Sequence, residues 1–331
     1  MEVHAATAEQ YRDFATYCDD SPCFRDWALR VADDAAVLAW LERLPVPKRQ
    51  PNLVLAAARY HGVPAPGPYD ALRTALLDDD GRVEHTIRTR ATQTNEAGRL
   101  ATLLPAFAGV AAQPPGEPIA LVEVGASAGL VLHPDRWGYR WRTADGDVVL
   151  PAPAGAGELV CDVTGPAPLP GAVPEVAFRA GLDLAPVDVT DPDQAAWLRV
   201  LVWPEHDDRR AVLDRAVEIA RVDPPDLRAG DLLTDVPDLV AEAGRHGRVV
   251  LFHTAVLAYV EEPGRVAFDT MMRDLVADGA CHWVSNEGRR VLPAVTGSTT
   301  AEPVPGSFVL GVDGSAVAFT HGHGRALHWL V

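Results

Sequence analysis

The residues of this sequence that could do chemistry gather around a short turn of small residues. Glu123 is followed by Gly125-Ala-Ser-Ala-Gly129, which places an acid and a serine among glycines. Glycine allows positive φ and lets a ligand approach the backbone closely. The apolar run from Ile119 to Val124 leads into this turn and predicts a buried parallel strand. Because open α/β sheets bind ligands at the carboxyl ends of their strands, we expect a ligand crevice at the turn.

Three more polar residues end later predicted strands. Asp183 closes the second strand of the expected parallel sheet, Asp231 the third and His253 the fourth. A carboxylate can accept charge-assisted hydrogen bonds from both hydroxyls of a ribose, so Asp183 is predicted to bind a ribose. Asp231 is predicted to lie near an adenine amino group. His253 is either a histidine with satisfied hydrogen bonds at a strand end or, since histidine titrates closest to neutral pH, the general base of a catalysed reaction.

Two kinds of site fit the turn poorly. A dinucleotide site needs the spacing G-x-G-x-x-G, but Ser127 and Leu130 stand at its second and third glycine positions, which disfavours NAD and FAD. A hydrolase elbow, G-x-S-x-G, matches literally and would make Ser127 a nucleophile. That elbow normally follows several earlier strands, whereas this turn follows the first predicted strand.

A third kind of site fits better, that of the S-adenosylmethionine-dependent methyltransferases. Their first motif is acid-x-Gly-x-Gly-x-Gly, and here a serine replaces the middle glycine. The ligand is a zwitterion with a sulfonium and a ribose, so acids in its pocket are tolerable. The residues predicted to bind this cofactor are Glu123, Gly125, Ser127, Gly129, Asp183 and Asp231. Most of the rate would come from the proximity of the methyl donor and its acceptor.

This leading hypothesis is a methyltransferase acting on a small molecule. Two alternatives stay open: a non-catalytic binding or scaffold protein on the same fold, and a serine hydrolase that uses Ser127. The fold alone does not decide between them, because one fold hosts many functions.

Candidate substrate-binding and catalytic residues also lie outside the turn. The polar stretch Arg90–Arg99 either caps a helix or closes over the glycine turn, in which case Asn95 and Glu96 would contact the substrate. Trp203-Pro-Glu205 either ends a helix or brings Glu205 into the crevice as a second catalytic group. Tyr259 is a further candidate for substrate contact.

Composition excludes several classes of partner. The 331 residues carry a formal net charge of −17, which opposes binding to nucleic acid or to anionic membranes. No apolar run reaches the roughly 18–20 residues of a membrane span. The four cysteines are scattered, so a reduced, cytoplasmic protein is expected. His321-Gly-His323 lacks a third nearby ligand, so no metal site is predicted.

The elements that must position these residues fall into two parts. Residues 1–113 predict a helical domain, with helix starts at Thr7, Ser21-Pro22, either Asp33 or Asp34, and Pro51, and with Thr94 capping a helix over 95–112. The proline-rich linker from Gln113 to Pro118 marks the boundary.

From residue 114 to 331, strands alternate with helices, which predicts an α/β domain. Leu130-Val131 is expected to begin a helix directly after the glycine turn. Ala144-Asp-Gly-Asp147 predicts a hairpin within an insertion around residues 137–172. Three strands after residue 306 predict an antiparallel C-terminal edge on a mostly parallel sheet.

The sequence also resembles a known family. The motifs that carry the resemblance are Gln93-Thr-Asn-Glu96, Glu123-Val-Gly-Ala-Ser-Ala-Gly-Leu130, Arg179-Ala-Gly-Leu-Asp-Leu-Ala-Pro-Val-Asp-Val189, Trp197-Leu-Arg-Val-Leu-Val-Trp-Pro-Glu205 and Phe252-His-Thr-Ala-Val-Leu-Ala-Tyr259. In this order, and over nearly the whole chain, they resemble the family called domain of unknown function 2332, which is common in actinobacteria.

The resemblance implies a Rossmann-like, mostly parallel sheet of the S-adenosylmethionine-dependent methyltransferase type, preceded by an all-helical domain. It implies no reaction. Val131 and Leu132 stand where the family tends to have Asn-Leu, a departure that would alter the ligand contacts beside the turn.

Overall fold

The computed structural model describes residues 2–18, 20–112, 116–302, 304 and 306–330, with side chains from residue 6 onward. The α-helices of these residues are α1 (Glu2–Tyr17), α2 (Pro22–Asp33), α3 (Ala35–Leu41), α4 (Pro51–Tyr60), α5 (Tyr69–Leu77), α6 (Arg82–Thr89), α7 (Leu100–Ala111), α8 (Pro192–Leu201), α9 (Asp207–Val222), α10 (Val236–Ala243), α11 (Glu262–Ala277) and α12 (Pro293–Thr296). The strands are β1 (Ile119–Val124), β2 (Gly138–Thr143), β3 (Gly146–Leu150), β4 (Glu158–Thr164), β5 (Val176–Asp183), β6 (Asp226–Ala229), β7 (Arg248–Thr254), β8 (His282–Gly288), β9 (Phe308–Val312), β10 (Ser315–Thr320) and β11 (Ala326–Trp329).

The chain divides into two compact units. The helical unit contains Met1–Thr94 and Thr190–Asp214, and the sheet unit contains Asn95–Val189 and Arg215–Val331. This division differs from the predicted boundary between residues 113 and 114, because α7 packs against β2, β4, β7 and β8 and so groups with the sheet. Residues 113–115 of the predicted linker lie outside the described residues.

Most predicted helix starts in the helical unit are confirmed. Ser21 is the N-cap of α2, with Pro22 in the first turn, and Asp34 caps α3 through hydrogen bonds from two backbone amides. Pro51 opens α4 as expected. The prediction at Thr7 is wrong: α1 already begins at Glu2, because the residues before Thr7 continue the helix in the N-terminal direction.

The helix expected over residues 95–112 begins later than predicted. Asn95 and Glu96 precede a single 3₁₀ turn, Ala97–Arg99, and α7 starts at Leu100. An added Cβ at Gly98 would lie 2.8 Å from the carbonyl oxygen of His323, so this segment packs closely on another loop. That packing, together with the hydrogen bond that the Asn95 side chain accepts from the amide of Leu130, keeps the segment out of the helix.

All described strands form one sheet in the order β3-β2-β4-β11-β10-β9-β8-β7-β1-β5-β6. The strands β6, β5, β1, β7 and β8 are parallel to one another, which confirms the predicted mostly parallel sheet. The chain leaves β1 toward β5 on one side and returns to β7 on the other. The strand order therefore reverses at β1, which makes the end of β1 the switch point of the sheet.

The C-terminal strands are antiparallel, as predicted, but they do not form an edge. β9 pairs antiparallel with β8, and β10 continues antiparallel to β9 and β11. The outer side of β11 pairs with β4, and the predicted hairpin β2–β3 extends the sheet further. The edge prediction is therefore wrong, because the insertion supplies strands that satisfy the outer backbone groups of β11.

The helix expected after the glycine turn is also absent from the described residues. Leu132 donates a backbone hydrogen bond to Gly129 at 3.1 Å, but the chain then passes through a 3₁₀ turn, Pro134–Arg136, into β2. Gly129 has φ +66°, and Pro134 cannot donate a backbone hydrogen bond, so a regular helix is interrupted at both ends of this segment.

Around β1, β7 and β8, helices of the sheet unit cover both faces of the sheet. One face packs against α10 and α11 through a continuous apolar core. The other face packs against α7, where the rings of Phe107 and Phe252 lie 5.1 Å apart. Every residue of β1 is buried, as expected for a central strand of a parallel sheet.

Candidate functional site

The glycine turn after β1 has a backbone that only small residues can adopt. Gly125, Ser127 and Gly129 have φ values of +67°, +51° and +66°. An added Cβ at Gly125 would lie 2.4 Å from a methyl group of Val256, and one at Gly129 would lie 2.7 Å from the ring of Pro225. Both glycines are therefore required by backbone conformation and by packing.

Asp183 holds this turn from the neighbouring strand. Its Oδ2 accepts a hydrogen bond from the backbone amide of Ser127 at 2.8 Å, and its Oδ1 accepts one from Ala185 at 2.9 Å. The amides of Gly125 and Ala126 both donate to the carbonyl of Leu182, at 2.7 and 3.2 Å. Each carboxylate oxygen keeps room for a further donor, so the predicted ribose contact of Asp183 is chemically compatible with this role.

Asn95 approaches the turn from the segment before α7. Its Oδ1 accepts a hydrogen bond from the amide of Leu130 at 2.6 Å, and the residue is buried. Glu96 follows directly, with Oε2 placed 3.3 Å from Nδ1 of His323. The polar stretch thus reaches the turn through Asn95, while contact of Asn95 or Glu96 with a substrate stays a prediction.

Glu123 is a buried acid at the carboxyl end of β1. Only 2% of its surface is exposed, and within the described residues its Oε2 has no hydrogen-bond partner. Burial raises the pKa of the Glu123 carboxyl well above its usual value; the nearby charge of Asp183 raises it further, while Arg99 lowers it. An unpartnered oxygen of this kind is suited to accept a hydrogen bond from a ligand or a water molecule.

Arg99 is the functional candidate that the sequence reasoning missed. It is buried, and its Nη1 donates to the carbonyl and the hydroxyl of Thr254 at 3.0 and 2.8 Å. Its Nε donates to the carbonyl of Gly322 at 2.8 Å. The only sequence signal was indirect: a buried acid in an apolar strand calls for a cation nearby, and Arg99 ends the polar stretch.

His253 occupies a different position from the one expected of a general base. It is fully buried, and Nε2 accepts a hydrogen bond from the indole of Trp283 at 3.0 Å. Nδ1 therefore carries the proton and donates a hydrogen bond to Oε1 of Glu287, at 2.7 Å. Both ring nitrogens are engaged by the protein, which leaves neither of them to accept a proton from a substrate.

Three other predicted residues are dispersed. Glu205 belongs to the helical unit, where Oε2 accepts from the hydroxyl of Ser21 at 2.6 Å and Oε1 from the amide of Cys23 at 2.8 Å. It therefore caps α2. Asp231 is exposed and accepts from the amide of Leu233 at 2.7 Å. Tyr259 is 65% exposed in a 3₁₀ turn after β7.

The site of the sheet unit therefore unites Asn95, Arg99, Glu123, the glycine turn and Asp183. Asp231 lies next to this site, because it follows Gly230 in the sequence. The amide of Gly230 donates a hydrogen bond to the carbonyl of Asp183 at 3.0 Å. No group of three or more His, Cys, Asp or Glu side chains that could hold a metal ion is found in the described part of the chain. Among the described helices, none has both the length and the apolar character needed to cross a membrane.

The sheet and the turn define a mixed α/β protein with a large, mostly parallel sheet and a glycine turn at its switch point. The chain belongs to the family described as an uncharacterized protein conserved in bacteria (DUF2332), whose match spans residues 8–329. This match confirms the family that the five motifs resemble. No curated protein matches the chain.

Proposed function

We propose that the protein is an S-adenosylmethionine-dependent methyltransferase that acts on a small molecule. The observation that carries the proposal is Glu123, a buried carboxyl with an unpartnered oxygen at the foot of a glycine turn that Asp183 holds in place. Two carboxyl groups and two obligatory glycines, at the ends of the adjacent strands β1 and β5, offer acceptors to the ammonium and hydroxyl groups of such a ligand.

The same geometry disfavours a dinucleotide. A pyrophosphate binds at the N-terminus of a helix, where free amides and the helix dipole favour negative charge. In the described residues no helix follows Gly129 directly, and the carboxyl groups of Glu123 and Asp183 end the two strands beside this turn, which disfavours an anionic phosphate. A sulfonium zwitterion avoids both difficulties.

The strand order also supports the proposal. Five parallel strands around β1, with antiparallel β9 beside β8, agree with a Rossmann-like sheet of the methyltransferase type. The connection from β1 to β5 differs, since β2, β3 and β4 occupy the stretch where a crossover helix is expected. This is the insertion that lengthens the spacing between Glu123 and Asp183.

The residues of the chain would divide the binding between them. Glu123 would accept a hydrogen bond from an ammonium group, Asp183 from ribose hydroxyls, and Asp231 would lie toward the adenine amino group. When bound, the cofactor supplies an electrophilic methyl group. Asn95 fixes the turn, while Glu96 lies in the segment that we assign to the acceptor. Positioning of donor and acceptor is the main source of rate, and His253 is not assigned a proton transfer.

Calorimetry tests the proposal directly. Wild-type protein would be titrated with S-adenosylmethionine, S-adenosylhomocysteine and, for comparison, NAD. Binding of both sulfur ligands, weakened about tenfold by Glu123→Gln because the amide oxygen that replaces the carboxylate is an uncharged and weaker acceptor, is the expected result. Glu158→Gln, an exposed acid on β4, is the matched control and should leave the affinity unchanged.

The other outcomes separate the alternatives. Binding of NAD alone, or of no ligand, would overturn the methyltransferase assignment. Tight cofactor binding without turnover on a library of small acceptors would favour the scaffold alternative. Covalent labelling of Ser127 by a fluorophosphonate would revive the hydrolase.

A further inference from the structure

We propose that His253 and Glu287 are a positioning pair that holds the segment 254–257 against the glycine turn and so shapes the ligand crevice from the opposite face of the sheet. The proposal rests on the proposed function only for the identity of the ligand. Neither residue is assigned contact with the ligand; the pair acts through the backbone that follows β7.

Glu287 collects three donors on a single oxygen. Oε1 accepts from Nδ1 of His253 at 2.7 Å, from the amide of Val256 at 2.9 Å and from the amide of Leu257 at 3.2 Å. Glu287 is only 2% exposed, and His253 is fully buried between Trp283 and Phe268. The pair therefore fixes two backbone amides from within the buried core, where hydrogen bonds are strong.

The segment that these amides belong to is strained. Ala255 has φ +57°, a conformation that non-glycine residues rarely adopt, and its amide donates to the carbonyl of Asn286 at 3.0 Å. Such a residue persists only where its surroundings fix the backbone on both sides. Glu287 supplies that restraint on the side of Val256 and Leu257.

The restrained segment contacts the site in two places. The side chain of Val256 fills the space that the missing Cβ of Gly125 leaves open, with a methyl 2.4 Å from that Cβ position. Thr254 accepts two hydrogen bonds from Arg99, whose charge opposes the rise in the pKa of Glu123. Successive residues of a strand point to opposite faces, so His253 and Thr254 link the two faces of the sheet.

Hydrogen exchange of single amides, followed by NMR, tests the pair in the full-length protein. In Glu287→Leu, which removes every acceptor, the amides of Val256 and Leu257 should exchange about ten- to a hundredfold faster than in the wild type. Glu287→Gln keeps an acceptor oxygen and should restore the protection. The amide of Tyr139 on distant β2 should be unchanged in both variants, which controls for global unfolding.

A second variant separates the two halves of the pair. Asparagine at position 253 can place an amide donor near the position of Nδ1 but cannot reach the indole of Trp283. His253→Asn should therefore keep the protection of Val256 while the indole N–H resonance of Trp283 shifts. His253→Phe should lose both the protection of the Val256 amide and the hydrogen bond from the indole of Trp283.

Affinity for S-adenosylhomocysteine is the functional readout. Glu287→Leu should weaken binding about tenfold or more, and Glu287→Gln should rescue it. Unchanged exchange of Val256 in Glu287→Leu, or unchanged affinity despite faster exchange, would overturn the positioning role. Absence of binding to the wild-type protein would instead overturn the proposed function, whatever the exchange data show.

Discussion

Asp183 accepts a hydrogen bond from the amide of Ser127 at 2.8 Å and thereby joins the end of β5 to the turn that follows β1. The partner residue is a serine in the left-handed region, with φ +51°. A single carboxylate thus stabilises a turn conformation that its sequence alone makes unfavourable. The conformation of the glycine turn therefore depends on a residue from a different strand.

Asp183→Ala should loosen the turn. Loss of two hydrogen bonds to a charged acceptor would lower the free energy of unfolding by about 1–2 kcal/mol, toward the lower end of what such bonds contribute because Asp183 is partly exposed. Asp183→Asn keeps one acceptor oxygen and should recover about half of that loss. Urea denaturation measures both. Asp145→Ala, at an exposed hairpin turn, is the control; an equal loss there would contradict the prediction.

Glu123→Gln should change how stability depends on pH. Burial raises the pKa of Glu123 in the folded protein, so the folded state binds more protons than the unfolded chain between the two pKa values. The wild-type free energy of unfolding therefore falls as the pH rises through this window, by about 1.4 kcal/mol for each unit of pKa difference. The neutral glutamine does not titrate and avoids this loss.

We therefore expect Glu123→Gln to be more stable than the wild type at pH 8 and to lose that advantage near pH 4. Guanidinium denaturation at several pH values measures the difference. Parallel stability curves for the two proteins would contradict a raised pKa at Glu123. The exposed Glu158→Gln should follow the wild type throughout.

Gly125→Ala and Gly129→Ala should both destabilise the protein. Each adds a left-handed alanine and a methyl group that collides with Val256 or Pro225, at a combined cost of about 2 kcal/mol or more. Gly109→Ala, in an exposed position of α7 with open space around it, should instead stabilise by about 0.5–1 kcal/mol. Thermal melting compares the three, and a similar effect at all three positions would refute the packing argument.

Glu205 and Ser21 should be energetically coupled. The carboxylate of Glu205 accepts hydrogen bonds from Ser21 and Cys23 at the start of α2, so Glu205→Ala should cost about 1–2 kcal/mol of stability. A double-mutant cycle with Ser21→Ala should give a coupling free energy of about 1 kcal/mol. Strict additivity of the two substitutions would show that the contact contributes nothing.

Local features of the fold could be predicted from the sequence. Caps such as Ser21 and Asp34 bind amides within three residues, and the hairpin turn at Ala144-Asp145 follows from its own residues. The apolar run of β1 predicts its burial. In each case the interaction is contained in the segment that reveals it.

The roles of His253 and Glu205 depend on distant partners and could not be predicted. Glu287 meets His253 only because β7 and β8 pair with His253 opposite Ser285, a register set by the whole sheet. Glu205 contacts Cys23 at the start of α2, although 182 positions separate the two residues in the sequence. Residue type showed that these side chains were unusual, but three-dimensional placement decides what they contact.

The pairing of β4 with β11 has a consequence for how the protein is made. β4 is synthesised about halfway along the chain, and its second neighbour, β11, with Ala326 opposite Asp162, is synthesised much later. Until then, β4 can pair only with β2, and the backbone groups on its other edge have no partner strand. The sheet is therefore complete only once β11 has been synthesised, and the interval before that is when a chaperone would be most useful.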